Sequence, residues 1–350
     1  MLRLLEEANQ AVGKLDGLAS ILPGSSLFIY FYVRKEAVLS SQIEGTQSSL
    51  SDLLLYEMEG NLGVPAEDAQ ETSQYVAALN YGLARIREGF PLSLRLIREI
   101  HGVLLAKGRG SSKSPGEFRT SQNWIGGDRP GNAIYVPPPP ELLVECLGQF
   151  ELFLHVSGPD LPVLVQAGLM HVQFETIHPF LDGNGRLGRL LITFLLCTAG
   201  RLTEPLLYLS LYLKEHRSTY YELLTRVRQH GDWEAWTEFF LTGVRDTAQQ
   251  AVGTAQRILT LFEKDAARIR AMGRVSGNGL RLHRVLQDNP VAFLSTFQST
   301  GLSLPTVSSA VERFEDLGIL KEVTGRQRKR IYVYKEYLDI LQEGTEPLPR

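Results

Sequence analysis

Between His178 and Arg189 the chain reads His-Pro-Phe-Leu-Asp-Gly-Asn-Gly-Arg-Leu-Gly-Arg. These residue types at this spacing suit chemistry on a phosphate. Gly183-Asn184-Gly185 lets the backbone approach a ligand closely. The segment opens a helix, whose first N–H groups are unpaired and partly positive, a ready anion cradle. Arg186 and Arg189 stand one turn apart, so both guanidinium forks can face the same phosphates. Asp182 offers an oxygen ligand for Mg²⁺. The imidazole of His178, with a reference pKa of about 6.5, suits a general base near neutral pH. Base, metal carboxylate, cradle and charge clamps are the parts that phosphoryl or nucleotidyl transfer requires. The plain alternative is a glycine helix break flanked by surface arginines.

Other patterns overlap this segment. Gly183 to Gly188 fits G-x-G-x-x-G, but that fingerprint needs a preceding strand, and the residues before it read as helix. Glu175-x-x-His178 resembles half of a di-iron carboxylate site, yet no second copy occurs in the sequence. A metal hydrolase built on His171, Glu175 and His178 is a competing reading on helical spacing.

Helices must position these residues. Apolar spacing predicts helices over Leu2–Leu18, Phe28–Ser41, Leu50–Glu59, Glu67–Gly89 and Leu94–Ala106, the last stopped by Gly108-Arg109-Gly110. Further helices are expected over Glu141–His155, from Val163 to about Ile177, and from about Arg186 to Ala199 before Gly200. The pattern continues through Tyr220–Gln229, Trp233–Gly243 and Asp246–Ala271. Between Ser111 and Pro140, rich in Gly, Pro, Ser and Asn, short β pieces at Asn123–Ile125 and Ala133–Val136 predict a hairpin turning near Gly126–Gly131. Gly273–Gly279 reads as a linker. Beyond it, Leu280–Asn289, Ala292–Ser299 and Thr306–Leu317 read as helices, and Leu320–Val323 and Arg330–Tyr334 as strands around the basic turn Thr324–Lys329.

The segment His178–Arg189 resembles the signature of the Fic family, His-x-Phe-x-Asp/Glu-Gly-Asn-Gly-Arg-x-x-Arg, with every fixed position filled. Ile97–His101, Pro115–Arg119, Gln122–Gly126 and Tyr135–Pro140 are similar to bacterial members, and the resemblance spans roughly Leu2–Gly243. It implies an all-α Fic fold with a small β-hairpin flap. It also implies an adenylyltransferase that moves AMP from ATP to a Ser, Thr or Tyr hydroxyl of target proteins and of itself, releasing pyrophosphate. His178 would deprotonate the acceptor, and Asp182 would hold Mg²⁺. Gly183, Asn184 and Gly185 would cradle the phosphates, and Arg186 and Arg189 would engage the β- and γ-phosphates. The flap, with Asn123, Trp124, Ile125 and Gly126, would cover the nucleotide and dock the target as an added strand. Tyr220 and Tyr221 resemble an aromatic pair near the adenine pocket, with core packing as the alternative. Use of another donor, and removal of AMP, stay open.

Ser40-Ser41-Gln42-Ile43-Glu44-Gly45 resembles the family's inhibitory motif, Ser/Thr-x-x-x-Glu-Gly/Asn. Ser40 and Glu44 share one helix face, and Gly45 ends the helix. Glu44 pairing with Arg189 would set a negative charge where an anion should sit; a surface glutamate before a glycine cap is the alternative.

Four parts are expected: an N-terminal helical region 1–93 carrying the inhibitory helix, a catalytic core 94–243, a connecting helix and linker 244–275, and a winged helix-turn-helix domain 276–350. In that last part Arg326, Arg328, Lys329 and Arg330 form a wing that could contact DNA phosphates; dimerisation, giving a homodimer, or target recognition is the alternative. A DNA-binding regulator with a nucleotide-sensing Fic portion is the rival from another function class. Composition agrees with a globular chain: 350 residues, 43% hydrophobic, 21% charged. A net charge of −3 argues against a surface built wholly for DNA. The longest apolar stretch, around Leu190–Ala199, is too short to span a bilayer. No signal peptide is evident at Met1–Glu7, so the expected location is cytoplasmic, away from membranes.

Overall fold

The computed structural model describes residues 1–21, 25–59, 66–156, 161–326 and 328–348. Four helices come first: α1 (Leu2–Ile21), α2 (Ser25–Ile43), α3 (Leu50–Glu59) and α4 (Ala66–Arg87). The central part holds α5 (Leu94–Leu104), α6 (Pro140–Leu154), α7 (Val163–Ile177), α8 (Asn184–Thr198), α9 (Ser210–Glu215), α10 (Arg217–His230) and α11 (Trp233–Arg270). The C-terminal part follows as α12 (Ser276–Asp288), β1 (Val291–Phe293), α13 (Leu304–Asp316), β2 (Leu320–Glu322), β3 (Ile331–Tyr334) and α14 (Lys335–Gln342).

Helix α8 is apolar almost all round, and Leu187, Leu190, Leu191, Phe194 and Leu196 are fully buried, which places it in the middle of the core. It packs on α7, α4, α2 and α5. Helix α5 has a one-sided apolar face, Leu96, Ile97, Ile100 and Leu104. Its first turn is closed by Ser93, whose Oγ accepts from the N–H of Leu96 at 3.4 Å. Helix α7 is locked to α11 by Trp236, whose indole N–H donates to the carbonyl of Gly168 at 2.9 Å. Helix α1 lies along α11, and α2 is buried between α4, α9 and α3.

The structure adds the short helices α9 and α14, which the sequence reading did not expect, and departs from that reading elsewhere too. The expected hairpin narrows to one antiparallel bridge, Ile125 with Tyr135, closed through a 3-10 turn at Pro130–Asn132. Pro137–Pro140 bring no N–H donors to lengthen a ladder. The break read at Gly243 lies inside α11, which runs unbroken for 38 residues. Gly243 is small for another reason: a Cβ there would sit 2.6 Å from Cδ1 of Tyr212. The linker read at Gly273–Gly279 is a 3-10 turn, Gly273–Val275, running into α12. Finally, the helix expected over Ala292–Ser299 is β1 followed by a 3-10 turn, because residues 291–293 pair with β3.

The C-terminal sheet has the order β1-β3-β2, all antiparallel, with Val291 opposite Val333 and Leu320 opposite Tyr334. Gln327 of the basic turn lies outside the described residues. After α14 the chain returns to the N-terminal helices. Gln42, near the end of α2, donates through Nε2 to the carbonyls of Ser48 and Thr345, both at 2.8 Å. Lys214 donates to the carbonyl of Gly344 at 3.0 Å. The end of α2 is thus held by the C-terminal segment. Among the described residues no helix is long and apolar enough to cross a membrane.

Candidate active site

The loop between α7 and α8 is shaped by its own residues. His178 takes a left-handed conformation, φ 49°, and its N–H closes α7 on the carbonyl of Phe174 at 2.9 Å. Such a conformation in a non-glycine residue needs outside support. It comes from the carbonyl of His178, which accepts from Nε of Arg119 at 3.0 Å and from Nδ2 of Asn123 at 3.2 Å. Asn123 also donates to the carbonyl of Phe180 at 2.9 Å. Gly183, φ 78°, starts α8. Asn184 is buried and its amide closes the loop, accepting from the N–H of Phe180 and donating back to its carbonyl, at 2.9 and 2.8 Å. Any cradle here is therefore made of backbone N–H groups.

Asp182 is fastened from behind. Its Oδ1 accepts from the N–H of Gly183 at 2.6 Å, and its carbonyl contacts Nε2 of His101 at 3.0 Å. Nδ1 of His101 accepts from the N–H of Gly116 at 2.8 Å, so the ring is neutral with its proton on Nε2. It stacks on Phe180 with centroids 3.7 Å apart. Burial pushes the His101 pKa down to about 4, with the Asp182 carbonyl pulling the other way.

A cavity of about 250 Å³ opens in front of this loop, lined by Glu44, Arg109, His178, Asp182, Gly185 and Arg186, among others. A larger cavity of about 790 Å³ lies between α6, α7 and the start of α11. Its lining, chiefly Leu142, Phe150, Phe153, Leu169, Ile177 and Trp233, is mostly apolar; the smaller cavity is the one that gathers the charged residues of the loop between α7 and α8.

His178 is also largely buried. Its Nδ1 is sealed from solvent, 3.8 Å from a carboxylate oxygen of Glu175; only Nε2 can serve the cavity. Burial, then Arg228, depresses its pKa to about 4, so the ring is neutral at physiological pH. Glu175 is pushed the other way, to about 7, by burial.

The end of α2 closes the cavity with Glu44, the residue after Ile43, and Ser40 lies one turn behind it. Glu44 Oε1 accepts from Nη2 of Arg189 at 2.7 Å. Ser40 receives the same guanidinium, Nε to its Oγ at 2.8 Å and Nη2 to its carbonyl at 3.0 Å. Burial works against the charge of Glu44, but Arg189 outweighs it and holds the pKa below the usual value. A Cβ on Gly185 would lie 3.2 Å from the Glu44 carboxyl carbon, so Glu44 covers the start of α8 itself. Arg186 is 1% exposed and pairs with Glu71 at 2.7 Å and Asp182 at 3.4 Å. Glu71 also receives Arg109 at 3.2 Å. Three guanidinium groups thus face three carboxylates, Glu44, Glu71 and Asp182, and the cavity carries no excess positive charge.

The residues singled out from the sequence separate into groups. His178, Asp182, Gly183, Asn184, Gly185 and Arg186 meet at the cavity with Glu44, and Arg189 and Ser40 stand behind Glu44. Trp124 is partly exposed, and Ile125 and Gly126 belong to the bridge and its turn. Tyr220 is packed in the core, its hydroxyl 2.8 Å from Nε2 of His171; that contact turns His171 away from a metal set with Glu175 and His178. Tyr221 leans on Tyr220 and is partly exposed. Among the described residues no group of three or more His, Cys, Asp or Glu side chains is placed to hold a metal. A single carboxylate beside a phosphate cradle is nevertheless a fitting Mg²⁺ site, since that ion is commonly held by one or two carboxylates plus substrate phosphates. Sequence reading missed the parts played by Glu71, His101, Arg109 and Arg119. Arg119 and His101 lay inside motifs quoted for similarity, and Arg109 inside the glycine stop after α5.

Comparison with known proteins gives a family and a fold. Residues 2–84 match the Fic/DOC family N-terminal model and residues 91–196 the Fic/DOC family model, together more than half of the chain. The chain is 29% identical over 239 residues to a protein adenylyltransferase Fic of Drosophila virilis, covering 67% of this chain and 45% of that protein. It is 32% identical over 203 residues to that of Aedes aegypti, covering 56% and 37%. The chain thus spans less than half the length of these curated relatives. A Fic family protein from Desulfovibrio desulfuricans G20 shares the fold over 95% of both chains, with a TM-score of 0.61 and 21% identity. Fic-1 from C. elegans shares it over 73% of this chain and 74% of that one, with a TM-score of 0.55 and 21% identity.

Proposed function

Since this chain belongs to the Fic/DOC family, we propose that it transfers AMP from ATP to a hydroxyl of a protein, and that Glu44 holds it inactive. The relatives' name, protein adenylyltransferase, supports the reaction class. The observation that carries the reading is the joint placement of a neutral His178, the start of α8 and Asp182 around one cavity. The acceptor O–H gives its proton to Nε2 of His178. The oxygen then attacks the α-phosphorus, the bond to the bridging oxygen of the β-phosphate breaks, and pyrophosphate leaves. The N–H groups at the start of α8 and Arg189 bind the negative oxygens. Asp182 would hold Mg²⁺, which when bound neutralises polyphosphate charge.

Inhibition has a simple electrostatic basis. In the closed arrangement Glu44 occupies the place of an anion: it sits on Gly185, takes Arg189, and leaves the cavity neutral. At about 250 Å³ the space is also below the 300–1,000 Å³ of common ligand pockets. Removing Glu44 leaves one excess positive charge and more room. Incubation of the Glu44→Gly protein with α-labelled Mg·ATP and a cell lysate, followed by mass spectrometry, tests the reading. Covalent AMP on a hydroxyl supports it. Reversible ATP binding with no covalent label would instead favour a nucleotide sensor.

For residues 276–350 we propose a winged-helix module. The order α12, β1, 3-10 turn, α13, β2, β3 with an exposed basic turn supports it. The exposed residues of α13 include Glu312, Arg313 and Asp316, a net acidic set, so contact with DNA phosphates would rest on Arg326, Arg328, Lys329 and Arg330. Filter binding of the full chain to duplex DNA decides: affinity that falls with salt supports contact, and none at low salt removes DNA as the partner.

A further inference from the structure

Resting on the AMP-transfer reading, we propose that Arg109 is a phosphate-binding residue of the same site. In the closed state it latches the end of α2, and with that end displaced it takes the terminal phosphate of ATP. Arg109 sits at the tip of a turn after α5, closed by the N–H of Ser111 on the carbonyl of Gly108 at 3.2 Å. Gly108 and Gly110 both have positive φ, 80° and 89°. Gly110 lets this turn press on the catalytic loop: a Cβ there would lie 2.8 Å from Oδ2 of Asp182. The turn is therefore a wall of the nucleotide cavity, and its one long side chain is cationic.

The three guanidinium groups of the cavity are not equivalent. Arg186 and Arg189 are 1% and 2% exposed and are held by at least two partners each. Arg109 is 55% exposed. It makes two contacts through a single nitrogen, Nη2: 3.3 Å to the carbonyl of Glu44 and 3.2 Å to Oε1 of Glu71. Glu71 is already matched by the buried Arg186 at 2.7 Å, so Arg109 adds a charge that Glu71 does not need. Displacing the end of α2 takes the Glu44 carboxylate from Arg189 and the residue-44 carbonyl from Arg109 together. Glu44→Gly removes the first, and the second gives way because a phosphate offers Arg109 a charged acceptor in place of a neutral one. Two released guanidinium groups suit two phosphates beyond the α-position, and a monophosphate reaches neither.

The test uses the full chain with Glu44→Gly to open the site and His178→Ala to stop turnover. Calorimetric binding of ATP, ADP and AMP at fixed Mg²⁺ is compared with and without Arg109→Ala. Loss of a charge-assisted contact should weaken ATP about tenfold, leave AMP within about twofold, and be partly restored by Arg109→Lys. ATP affinity unchanged by Arg109→Ala overturns the assignment. So does an equal loss for ATP and AMP, which would mark Arg109 as scaffold. Transfer is scored separately on the Glu44→Gly protein with His178 intact. If that protein binds ATP but labels nothing, the transfer reading falls, while the ATP-to-AMP ratio still decides Arg109.

Discussion

Replacing Glu44 separates charge from space at the centre of the cavity. Glu44→Gly removes both; Glu44→Gln keeps the volume and removes only the charge. A unit charge near 4 Å from a phosphate oxygen is worth about 4 kcal/mol at an effective dielectric constant of about 20. The Glu44 side chain is 30% exposed, so solvent screening reduces this to about 2–3 kcal/mol. Glu44→Gln should then tighten ATP binding by roughly 30- to 150-fold, and Glu44→Gly by at least as much. Transfer to the protein itself should rise with it. Glu44→Gly also strands Arg189, which is 2% exposed and keeps only Ser40, while Glu44→Gln leaves it a neutral amide oxygen in place of a carboxylate. The unliganded variants should therefore unfold at lower temperature than the parent, and ATP should raise their melting temperatures far more. Isothermal calorimetry, thermal melts with and without Mg·ATP, and self-labelling measure these effects. ATP affinity in both variants within threefold of the parent would refute the electrostatic account. Tight binding in Glu44→Gly but not in Glu44→Gln would replace it with a steric one.

His178→Ala should abolish labelling in the Glu44→Gly protein while leaving ATP bound. With His178 intact, burial keeps its pKa near 4, and the negative charge of Glu44 raises that value, so removing Glu44 lowers it further. The base stays neutral, and labelling from pH 7 to pH 5.5 should lose little, where an unperturbed imidazole would lose about tenfold; an acid limb near 6.5 contradicts this. His101→Ala removes the bond to the Asp182 carbonyl, the acceptor for Gly116 and the stack on Phe180. Denaturant unfolding should show a loss of about 2–4 kcal/mol, and the rate of transfer should fall at saturating ATP; unchanged stability would deny the bridging role. Gly168→Ala tests packing against helix propensity. Propensity alone predicts a gain of about 1 kcal/mol, but the new Cβ would lie 2.9 Å from Cδ1 of Phe240. Overpacking costs about 1–3 kcal/mol, so the melting temperature should fall; a rise would show that Phe240 moves aside freely.

Several features were readable because they are local. The start of α8, the positive φ of Gly183 and the spacing of Arg186 and Arg189 all follow from twelve neighbouring residues. The turn after α2 at Gly45, φ 100°, follows likewise from its own neighbours. Where a reading failed, one residue type served two purposes. Gly243 and the Gly273–Gly279 segment look like helix breaks, yet Gly243 is small because Tyr212 lies against it and Gly279 because Ile269 does. Lack of a Cβ permits a turn and permits close approach, and a sequence cannot say which applies. Ala292 and Phe293 read as the start of a helix because their strand partners lie about 40 residues away in β3.

The chain by itself determined the chemical repertoire: an imidazole, a carboxylate and two arginines at the mouth of a helix, with a glutamate of the right type upstream. Only the tertiary structure decided which charges meet. Glu44 reaches Arg189 across 145 residues, Glu71 reaches Arg186 across 115, and Arg109 reaches Glu44 across 65. Contacts at such separations, two ion pairs and one guanidinium on a backbone carbonyl, follow from helix packing, not from any periodicity along the chain. That packing makes the cavity neutral with Glu44 in place and positive without it.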